Sequence, residues 1–318
     1  MKQFSSEEML CSIIITNFNG RQNLEECLPG VMEAAAEVDG TEINIVDDAS
    51  TDDSVSFIKR AYPQVNLLQN KSNEGFGKTA NKGFHASRGK IAVLLSNDIK
   101  PDKNFLLPLL PHFKDEKLFA VGCKRLSPEG KIEEGQKVAK FLFGRVKFSR
   151  HFAWSNSYKE LVPSFYTGGF GAFNREAVLA LGGFHPLYAP FFWEDVDLCY
   201  RAAKRGWKVL YEPRSIVYHF DSKLGTIRRH FDSKYTKKIK KRNELLFIWS
   251  NLDRPRLLEH TVFLFVRLSI SWVWGDFSLY TGFFHACMRF SEVQAKRKSN
   301  LFCVSDKDAF SLVSDTPR

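Results

Sequence analysis

The stretch Ile91-Ala-Val-Leu-Leu-Ser-Asn-Asp-Ile-Lys-Pro-Asp102 decides the fold. Its first five residues are apolar, two of them are β-branched, and Gly89 and Pro101 flank the run, which is typical of a strand buried on both faces. Asn97 and Asp98 follow soon after the apolar residues end. Ligands of open α/β sheets bind just beyond the carboxyl ends of the strands, so Asp98 is a candidate site residue. The local alternative is a simple turn, because Asn and Asp are common turn formers.

Strands and helices alternate upstream of this stretch. Strands are predicted at 11–16, 42–46 and 65–68, each followed by a helix whose apolar residues repeat at helical spacing. The order β-α-β-α-β-α-β with short connections predicts an α/β fold, in which a mostly parallel central sheet is flanked by helices.

The downstream half carries weaker patterns. A helix is predicted at 105–113, and two strands are predicted at 208–211 and 216–218, on either side of Pro213. The stretch 124–163 is mixed, charged and aromatic, and its lack of a period permits no assignment.

Polar residues follow three strands of the predicted sheet. They are residues 17–19, 47–48 and 96–98. On a parallel sheet these three ends lie along one edge, so their repeated Asn and Asp residues indicate a ligand site. The structural alternative is that polar residues commonly end strands.

The sequence lacks the glycine-rich motifs that bind phosphates. No G-x-G-x-x-G follows the first predicted strand, and no G-x-x-x-x-G-K-[ST] occurs anywhere in the chain. A dinucleotide dehydrogenase or a P-loop nucleotidase is therefore disfavoured. A nucleotide bound here would need carboxylates and a metal ion to hold its phosphates.

Cysteine usage and hydropathy indicate the compartment. Six cysteines form no C-x-x-C pair, which favours buried free thiols in a reducing compartment. The first ten residues include Glu7 and Glu8 and do not resemble a secretory signal. The run 261–274 is too short to span a membrane and contains Arg267. We expect a cytoplasmic protein, with contact to the inner face of the cell membrane as a further expectation.

A second group of acids lies at the start of a predicted helix. Glu194 and Asp195 follow the bulky residues 191–193, and Asp197 lies in the same first turn of the helix. The helix dipole favours acids at this position, and that is the structural alternative. A carboxylate beside an aromatic wall is partly desolvated, which raises its affinity for a proton and suits a general base. Asp197 is interpreted as a structural acid.

Two further features are compatible with a ligand site. The segment 165–173 is glycine-rich between aromatic residues, as a close approach of the backbone to a ligand requires, although a tight turn explains it equally well. His219 ends a predicted strand, and together with Asp98 it is a candidate metal ligand.

These residues together resemble the family 2 glycosyltransferases with the GT-A fold, in particular the rhamnosyltransferase-like and cell-surface polysaccharide enzymes. The resemblance covers roughly residues 11–245. The motifs that carry it are Ser12-Ile-Ile-Ile-Thr-Asn-Phe-Asn-Gly20, Val46-Asp-Asp-Ala-Ser-Thr-Asp-Asp-Ser54, Asn73-Glu-Gly-Phe-Gly77 with Asn81, Leu95-Ser-Asn-Asp98, Thr167-Gly-Gly169, Glu194-Asp-Val-Asp-Leu198 and His219.

The resemblance implies a Rossmann-like nucleotide-binding fold and a role for each matched residue. Asp195 is the expected catalytic base, with Glu194 as the second choice, and Asp98 and His219 are the expected ligands of a divalent metal, Mn²⁺ or Mg²⁺. The residues expected to bind the nucleotide sugar are Thr16, Asn19, Asp47, Asp48, Gly75, Asn81, Asn97, Asp98, Gly168 and Gly169.

The expected reaction is the transfer of a sugar from a nucleotide diphosphate to an acceptor hydroxyl with inversion at the anomeric carbon. The donor would be a UDP- or dTDP-sugar and the acceptor a glycan or a lipid-linked molecule of the cell surface. One departure is Ser96, which stands where the family's D-x-D motif has its first acid. A single acid and a histidine can still hold a metal, because the diphosphate oxygens supply further ligands.

Two alternatives remain open at this stage. A sugar-nucleotide nucleotidyltransferase would need a glycine-rich basic loop after the first strand, for which Asn19-Gly-Arg21 is a poor substitute. A non-catalytic protein that binds sugar nucleotides is favoured mildly by Ser96. It is opposed by the presence of four candidate site residues, Asp98, Glu194, Asp195 and His219.

The predicted domain organisation is a GT-A domain at 1–222 followed by a basic and amphipathic helical extension at 223–318. Within the domain, residues 1–100 form the nucleotide-binding half and 101–222 the acceptor and catalytic half. Residues 223–242 contain nine Lys or Arg and one acid. With the aromatic residues that follow, they predict peripheral membrane contact through 223–290 or packing of the helices on the sheet. Nucleic-acid binding is disfavoured because the segment belongs to no recognised module.

Overall fold

The computed structural model describes residues 10–150, 161–220, 231–274 and 277–311. Its first half contains the predicted alternation of strands and helices. These elements are β1 (Cys11–Asn17), α1 (Arg21–Ala36), β2 (Thr41–Asp47), α2 (Ser54–Ala61), β3 (Asn66–Gln69), α3 (Phe76–Ala86) and β4 (Ile91–Ser96). The α/β prediction is therefore confirmed.

The second half adds strands of very different lengths and two α-helices. They are β5 (Ile99–Pro101), β6 (Leu118–Leu126), β7 (Ile132–Glu134), β8 (Lys137–Leu142), β9 (Arg145–Arg150), β10 (Val162–Pro163), β11 (Gly171–Asn174), α4 (Arg175–Ala180), α5 (Glu194–Ala203) and β12 (Lys208–His219). The unassigned stretch 124–163 thus contains β-hairpins rather than one long loop.

Two predictions about this half are wrong in detail. Residues 105–113 form turns and a 3₁₀ helix at Leu110–Lys114, because Pro108 and Pro111 lack the N–H groups that an α-helix needs. The two strands predicted around Pro213 are one continuous strand, β12. Its register against β6 shifts between Glu212 and Ile216, which accommodates the proline.

The central sheet has ten strands, with the order β10-β12-β6-β11-β4-β1-β2-β3, while β5 pairs with β12 and β7 with β6. Strands β1 to β4 run parallel to one another, whereas β11 is antiparallel to both β4 and β6. Thr16 lies opposite Val46 and Ser96, and Asn17 lies opposite Asp47. The polar ends of β1, β2 and β4 therefore meet at one edge of the sheet, as predicted.

The strand β4 joins two hydrophobic layers. Val93 and Leu95 pack into the cluster on one face of the sheet, and Ala92 and Leu94 pack into the cluster on the other. All four are fully buried, which explains why this strand has an unbroken apolar sequence instead of alternation. The prediction of a strand buried on both faces is confirmed.

The described part of the C-terminal extension contains five α-helices, and they pack against the elements of the second half of the chain. They are α6 (Ser233–Asn251), α7 (Arg254–Ile270), α8 (Phe277–Cys287), α9 (Phe290–Ser299) and α10 (Asp306–Ser311). Leu246 and Phe247 of α6 belong to one buried cluster with Val196 and Tyr200 of α5. The extension thus shares a core with α5. The predicted boundary between 222 and 223 lies within residues 221–230, which are outside the described residues.

A buried polar network also ties the extension to α5. The carboxylate of Asp197 accepts hydrogen bonds from Tyr188 (2.7 Å), Arg201 (2.7 Å), Asn251 (2.8 Å) and Lys296 (2.7 Å). Burial alone would raise the pKa of Asp197, but the charges of Lys296 and Arg201 hold it well below its usual range. The interpretation of Asp197 as a structural acid is consistent with these contacts.

The remaining features concern cysteines and hydropathy. The free cysteines Cys11, Cys27, Cys123 and Cys199 are buried, whereas Cys287 and Cys303 are exposed. Within the described residues, none of the helices combines the length and the apolar composition needed to cross a bilayer.

Candidate active site

The ends of β1 and β2 form a rigid polar edge. Asp47 is buried, and its carboxylate accepts hydrogen bonds from the Asn17 amide (2.8 Å), the Ser50 hydroxyl (2.6 Å) and the Ser50 main-chain N–H (2.9 Å). Asn19 has a left-handed backbone (φ 47°), and its side-chain oxygen accepts from the N–H of Thr51 (2.7 Å). Asp47 and Asn19 thus fix the two loops against each other. Thr16 is buried one residue before the end of β1.

Asp48 shapes the loop that precedes α3. Its carboxylate accepts from the main-chain N–H groups of Glu74 (2.8 Å) and Gly75 (2.9 Å) and from the Asn70 amide (2.8 Å). Gly75 has a φ of 81°, a conformation that favours glycine. Asp48 and Gly75 therefore lie at the same edge as Asp47, and the role of Asp48 in this structure is to hold the loop.

Two of the predicted ligand residues, Asn81 and Asn97, form hydrogen bonds within the protein through their side-chain amides. The amide nitrogen of Asn81 donates to the carbonyl of Phe184 (2.9 Å), and its oxygen accepts from the Phe184 N–H (2.8 Å). Asn97 donates to the side-chain oxygen of Asn17 (2.7 Å). Asn81 therefore joins α3 to the loop after α4, and Asn97 joins the ends of β4 and β1.

Asp98 and His219 face each other across the pairing of β5 with β12. The Nε2 atom of His219 lies 3.4 Å from Oδ2 of Asp98, and the Ser96 hydroxyl donates to Oδ1 of Asp98. Burial alone would raise the pKa of Asp98, but the hydrogen bond and charge of His219 lower it below its usual value. Ser96, which replaces an acid of the family motif, thus supports the remaining acid.

The donor set suits a divalent cation that takes most of its ligands from the substrate. One carboxylate and one imidazole are ligands that Mn²⁺ accepts, whereas Mg²⁺ prefers oxygen alone. Across the described ranges, no cluster of three or more His, Cys, Asp or Glu side chains is arranged to hold a metal. Asp98 and His219 therefore fit a metal ion only if diphosphate oxygens or water complete the coordination.

The sequence analysis missed four charged residues of the site. Glu133 and Glu134 lie on β7, which pairs with the end of β6. Arg125 forms ion pairs with Glu133 (3.2 Å) and Glu134 (3.0 Å), and Lys137 forms one with Glu134 (2.7 Å). A three-residue strand gives no readable period, but the turn Ser127-Pro-Glu-Gly130 was a signal for this hairpin.

Glu194 and Asp195 open α5 after a strained backbone segment. Phe192 and Trp193 have φ values of 71° and 76°, which large side chains rarely adopt. Asn243 of α6 holds this segment, because its amide nitrogen lies 2.8 Å from the Phe192 carbonyl and also contacts the carbonyls of two preceding residues. The extension therefore fixes the position of the two acids.

Both acids have a raised affinity for protons. Burial raises the pKa of Asp195 to about 6, against the lowering effect of a hydrogen bond from the Val196 N–H. Burial and the charge of Asp195 raise the pKa of Glu194 to about 8, and Oε2 of Glu194 is buried without a hydrogen-bond partner in the described structure. Burial thus favours the protonated form of both carboxyls, and a carboxyl whose pKa is raised in this way is suited to act as a general base.

Gly168 and Gly169 leave space beside these acids. Their φ values are 93° and 86°, and a Cβ atom on Gly169 would lie 3.9 Å from Oδ2 of Asp195. A Cβ atom on Gly168 would lie 3.0 Å from Oε2 of Glu134 and 3.4 Å from Cε of Lys137. The glycine pair therefore lies between the Asp195 carboxylate and the charged hairpin.

The fold and the site define the class of the protein, which is that of the GT-A glycosyltransferases. Residues 12–182 match the family model described as Glycosyl transferase family 2. The match covers more than half of the chain, and the chain belongs to this family.

Curated relatives share about a quarter of the aligned residues. The pre-mycofactocin glycosyltransferase of Mycobacterium tuberculosis is 26% identical over 200 residues, which cover 60% of this chain and 40% of the relative. The N-acetylglucosaminyl-diphospho-decaprenol L-rhamnosyltransferase of the same species is 26% identical over 201 residues, which cover 55% of this chain and 65% of the relative. The alignments thus span less than two thirds of these relatives.

Solved structures show the same fold at lower identity. GalNAc-T7 with UDP, GalNAc and Mn²⁺ has a TM-score of 0.65 and 18% identity, over 98% of this chain and 57% of that one. The mannosyltransferase PcManGT of Pyrobaculum calidifontis with GDP-Man and Mn²⁺ has a TM-score of 0.55 and 18% identity, over 96% of this chain and 79% of that one. At these identities the likeness shows the fold alone.

Proposed function

We propose that the protein is an inverting glycosyltransferase of the hexosyltransferase type, which transfers a sugar from a nucleotide diphosphate to an acceptor hydroxyl. The observation that carries this proposal is Asp195, a carboxylate with a raised pKa that faces an open glycine pair. A charged hairpin joins this region to the pair formed by Asp98 and His219. The proposed base, Asp195, and the proposed metal site, Asp98 and His219, are thus linked through the side chains of this hairpin.

The proposed mechanism is a direct displacement. Asp195 takes the proton of the acceptor hydroxyl while that oxygen forms a bond to the anomeric carbon and the bond to the diphosphate oxygen breaks, which inverts the configuration. Asp98 and His219 would hold Mn²⁺ or Mg²⁺, which stabilises negative charge on the diphosphate. Asp47, Asn19 and the neighbouring residues of the polar edge bind the nucleotide in this proposal.

The similar proteins suggest the substrates. A structural neighbour, TarS of S. aureus, was solved with UDP-GlcNAc, and one relative is named as a rhamnosyltransferase acting on a diphospho-decaprenol carrier. We propose a UDP- or dTDP-sugar as donor and a glycan or lipid-linked acceptor in cell-surface glycan synthesis.

Analysis of the reaction product tests this function. The protein is incubated with UDP-, dTDP- and GDP-sugars, Mn²⁺ and lipid-linked or glycan acceptors, and the anomeric proton of the product is examined by NMR. We expect one donor to give a product of inverted configuration with release of nucleoside diphosphate. A product of retained configuration would contradict the mechanism. Pyrophosphate release from a nucleoside triphosphate and a sugar phosphate would favour the nucleotidyltransferase, and binding without turnover the non-catalytic protein.

The dependence of activity on pH follows from the state of Asp195. A general base works only when deprotonated, and the pKa of Asp195 is about 6. We therefore expect kcat/KM to fall about tenfold per pH unit below this value and to level off above it. A rate profile between pH 4.5 and 8 measures this dependence, and a rate that stays constant down to pH 4.5 would contradict the assignment.

We also propose that the extension contacts the inner face of the cell membrane as a peripheral element. Leu258 and Phe265 of α7 are 69% and 72% exposed, and Phe277 and Phe284 of α8 are each 63% exposed. The basic part of α6 lies next to α8, because a Cβ atom on Gly282 would lie 2.7 Å from Cβ of Lys241. Exposed apolar residues beside lysines suit an anionic lipid surface.

Vesicle flotation tests this contact. We expect the protein to float with vesicles that contain phosphatidylglycerol, less with phosphatidylcholine alone, and the double variant L258S/F265S to lose most of the binding. The control L107S/L301S removes exposed apolar residues elsewhere, at 46% and 68% exposure, and should float like the wild type. Equal flotation of both double variants would contradict the proposed surface.

A further inference from the structure

His219 is held between two carboxylates that contact different ring atoms. Its Nδ1 atom lies 3.0 Å from Oε2 of Glu133, and its Nε2 atom lies 3.4 Å from Oδ2 of Asp98. The first distance is that of an ordinary hydrogen bond, and the second is longer than the usual N–H···O range. The two nitrogens of the ring are therefore not equivalent.

Of the two neutral forms of the imidazole, the two distances favour the one that is protonated on Nδ1. If Nδ1 carries the proton and donates it to Glu133, then Nε2 carries a lone pair and faces Asp98. A lone pair on Nε2 beside a carboxylate oxygen is what a divalent cation needs from these two residues. Metal-ligating histidines commonly donate their second N–H to a carboxylate in this manner, which orients the ring and raises its basicity.

Glu133 is itself held in place. Arg125 forms an ion pair with Glu133 (3.2 Å) and another with Glu134 (3.0 Å), and its guanidinium lies 5.5 Å from the centre of the Phe170 ring. Glu133 and His219 are both partly buried, which restricts their movement. The hairpin that carries β7 therefore presents Glu133 to His219 from a fixed position.

We propose that Glu133 is a positioning residue that fixes the tautomer and orientation of His219, so that Nε2 is offered to the divalent cation at Asp98. The inference rests on the proposed function, because it concerns the same metal site. The alternative arrangement is an imidazolium that donates to both Glu133 and Asp98 and binds no metal.

Two measurements test this proposal, one of the affinity for Mn²⁺ and one of the tautomer of the His219 ring. The affinity for Mn²⁺ is determined by electron paramagnetic resonance of free Mn²⁺, in the presence and absence of UDP. The tautomer of His219 is determined from ¹⁵N chemical shifts of the metal-free protein labelled at histidine. The variants are E133A and E133Q, with E129A as the matched control and D98N as the reference for loss of the metal.

The controls distinguish the positioning of His219 from a general effect of lost charge or of impaired folding. Glu129 lies in the exposed turn of the same hairpin, where its carboxylate accepts a hydrogen bond from the Ser127 hydroxyl. E129A therefore removes the same charge and leaves the contact between Glu133 and His219 in place. E133Q retains a carbonyl oxygen that can accept a hydrogen bond from the Nδ1–H group. Thermal unfolding of each variant reports whether the fold remains intact. Binding of UDP without metal reports whether the polar edge formed by the ends of β1 and β2 remains intact.

The expected result is a loss of Mn²⁺ affinity of about 10- to 100-fold in E133A, the size usual for such outer contacts. We expect E133Q and E129A to remain close to the wild type, and the ¹⁵N shifts of His219 to move toward the Nε2-protonated form in E133A alone.

Unchanged or tighter Mn²⁺ binding by E133A, with D98N impaired, would overturn the role of Glu133 and leave the proposed function in place. Failure of the wild type to bind Mn²⁺ even with UDP would overturn both the metal site and this inference.

Discussion

The variant D195N is expected to lower kcat/KM by about 10²- to 10⁴-fold, the range that a positioned general base contributes. Asn has nearly the shape of Asp but cannot take the proton of the acceptor hydroxyl. Asp195 lies at the start of α5, and its Oδ1 accepts a hydrogen bond from the Val196 N–H that the oxygen of Asn can also accept, so donor binding should remain close to that of the wild type. Steady-state kinetics and calorimetric titration with the donor measure the two quantities.

Two further variants make this prediction sharp. E194Q changes the neighbouring acid, which is the second choice for the base, and we expect a much smaller effect than that of D195N. D39N alters an exposed residue at the amino end of β2, opposite to the polar edge, and should be without effect. Full activity of D195N, or a larger loss in E194Q, would show that Asp195 is not the base.

The variant K296M is expected to destabilise the whole protein by about 3 kcal/mol, because removing one partner of a buried ion pair leaves the other charge uncompensated. The Nζ atom of Lys296 lies 2.7 Å from Oδ1 of Asp197 and also bonds to Asn251 (2.8 Å). Arg201 continues to pair with Asp197, which places the expected loss at the lower end of the usual range. Urea denaturation followed by circular dichroism measures the free energy of unfolding.

The matched control is K298M, an exposed residue two positions further along α9. We expect it to change the free energy of unfolding by less than about 0.5 kcal/mol, as is usual at surface positions. If K296M is as stable as K298M, the network does not hold the extension to α5. A single cooperative transition in the wild type is expected, because α5 and α6 share one core.

The first half of the fold, from β1 to β4, could be predicted from the sequence because its elements are long and its pattern is regular. Strand β4 has an unbroken apolar run since both its faces are buried, and the polar residues at 17–19, 47–48 and 96–98 end neighbouring parallel strands. Local pattern and topology agree here, so the predicted polar edge is present.

The other half was not readable because its structure depends on contacts between distant residues. Glu133 is 86 positions from its partner His219, and a three-residue strand has no period. Asn243 holds Phe192 across 51 positions, and nothing in the sequence around Asn243 distinguishes it from an ordinary polar residue of a basic helix. The predicted ligand roles of Asn81 and Asp48 remain predictions. In the structure both side chains form hydrogen bonds within the protein.

Thermal unfolding with a panel of nucleotide diphosphates and their sugars, with and without Mn²⁺, tests the central claim most directly. A donor at a hundred times its dissociation constant stabilises a protein by about 2.7 kcal/mol, which corresponds to several degrees in Tm. We predict such a shift for a UDP- or dTDP-sugar in the wild type, dependent on Mn²⁺ and lost in D98N. No shift with any member of the panel, or the same shift in D98N, would contradict a metal-assisted donor site at Asp98.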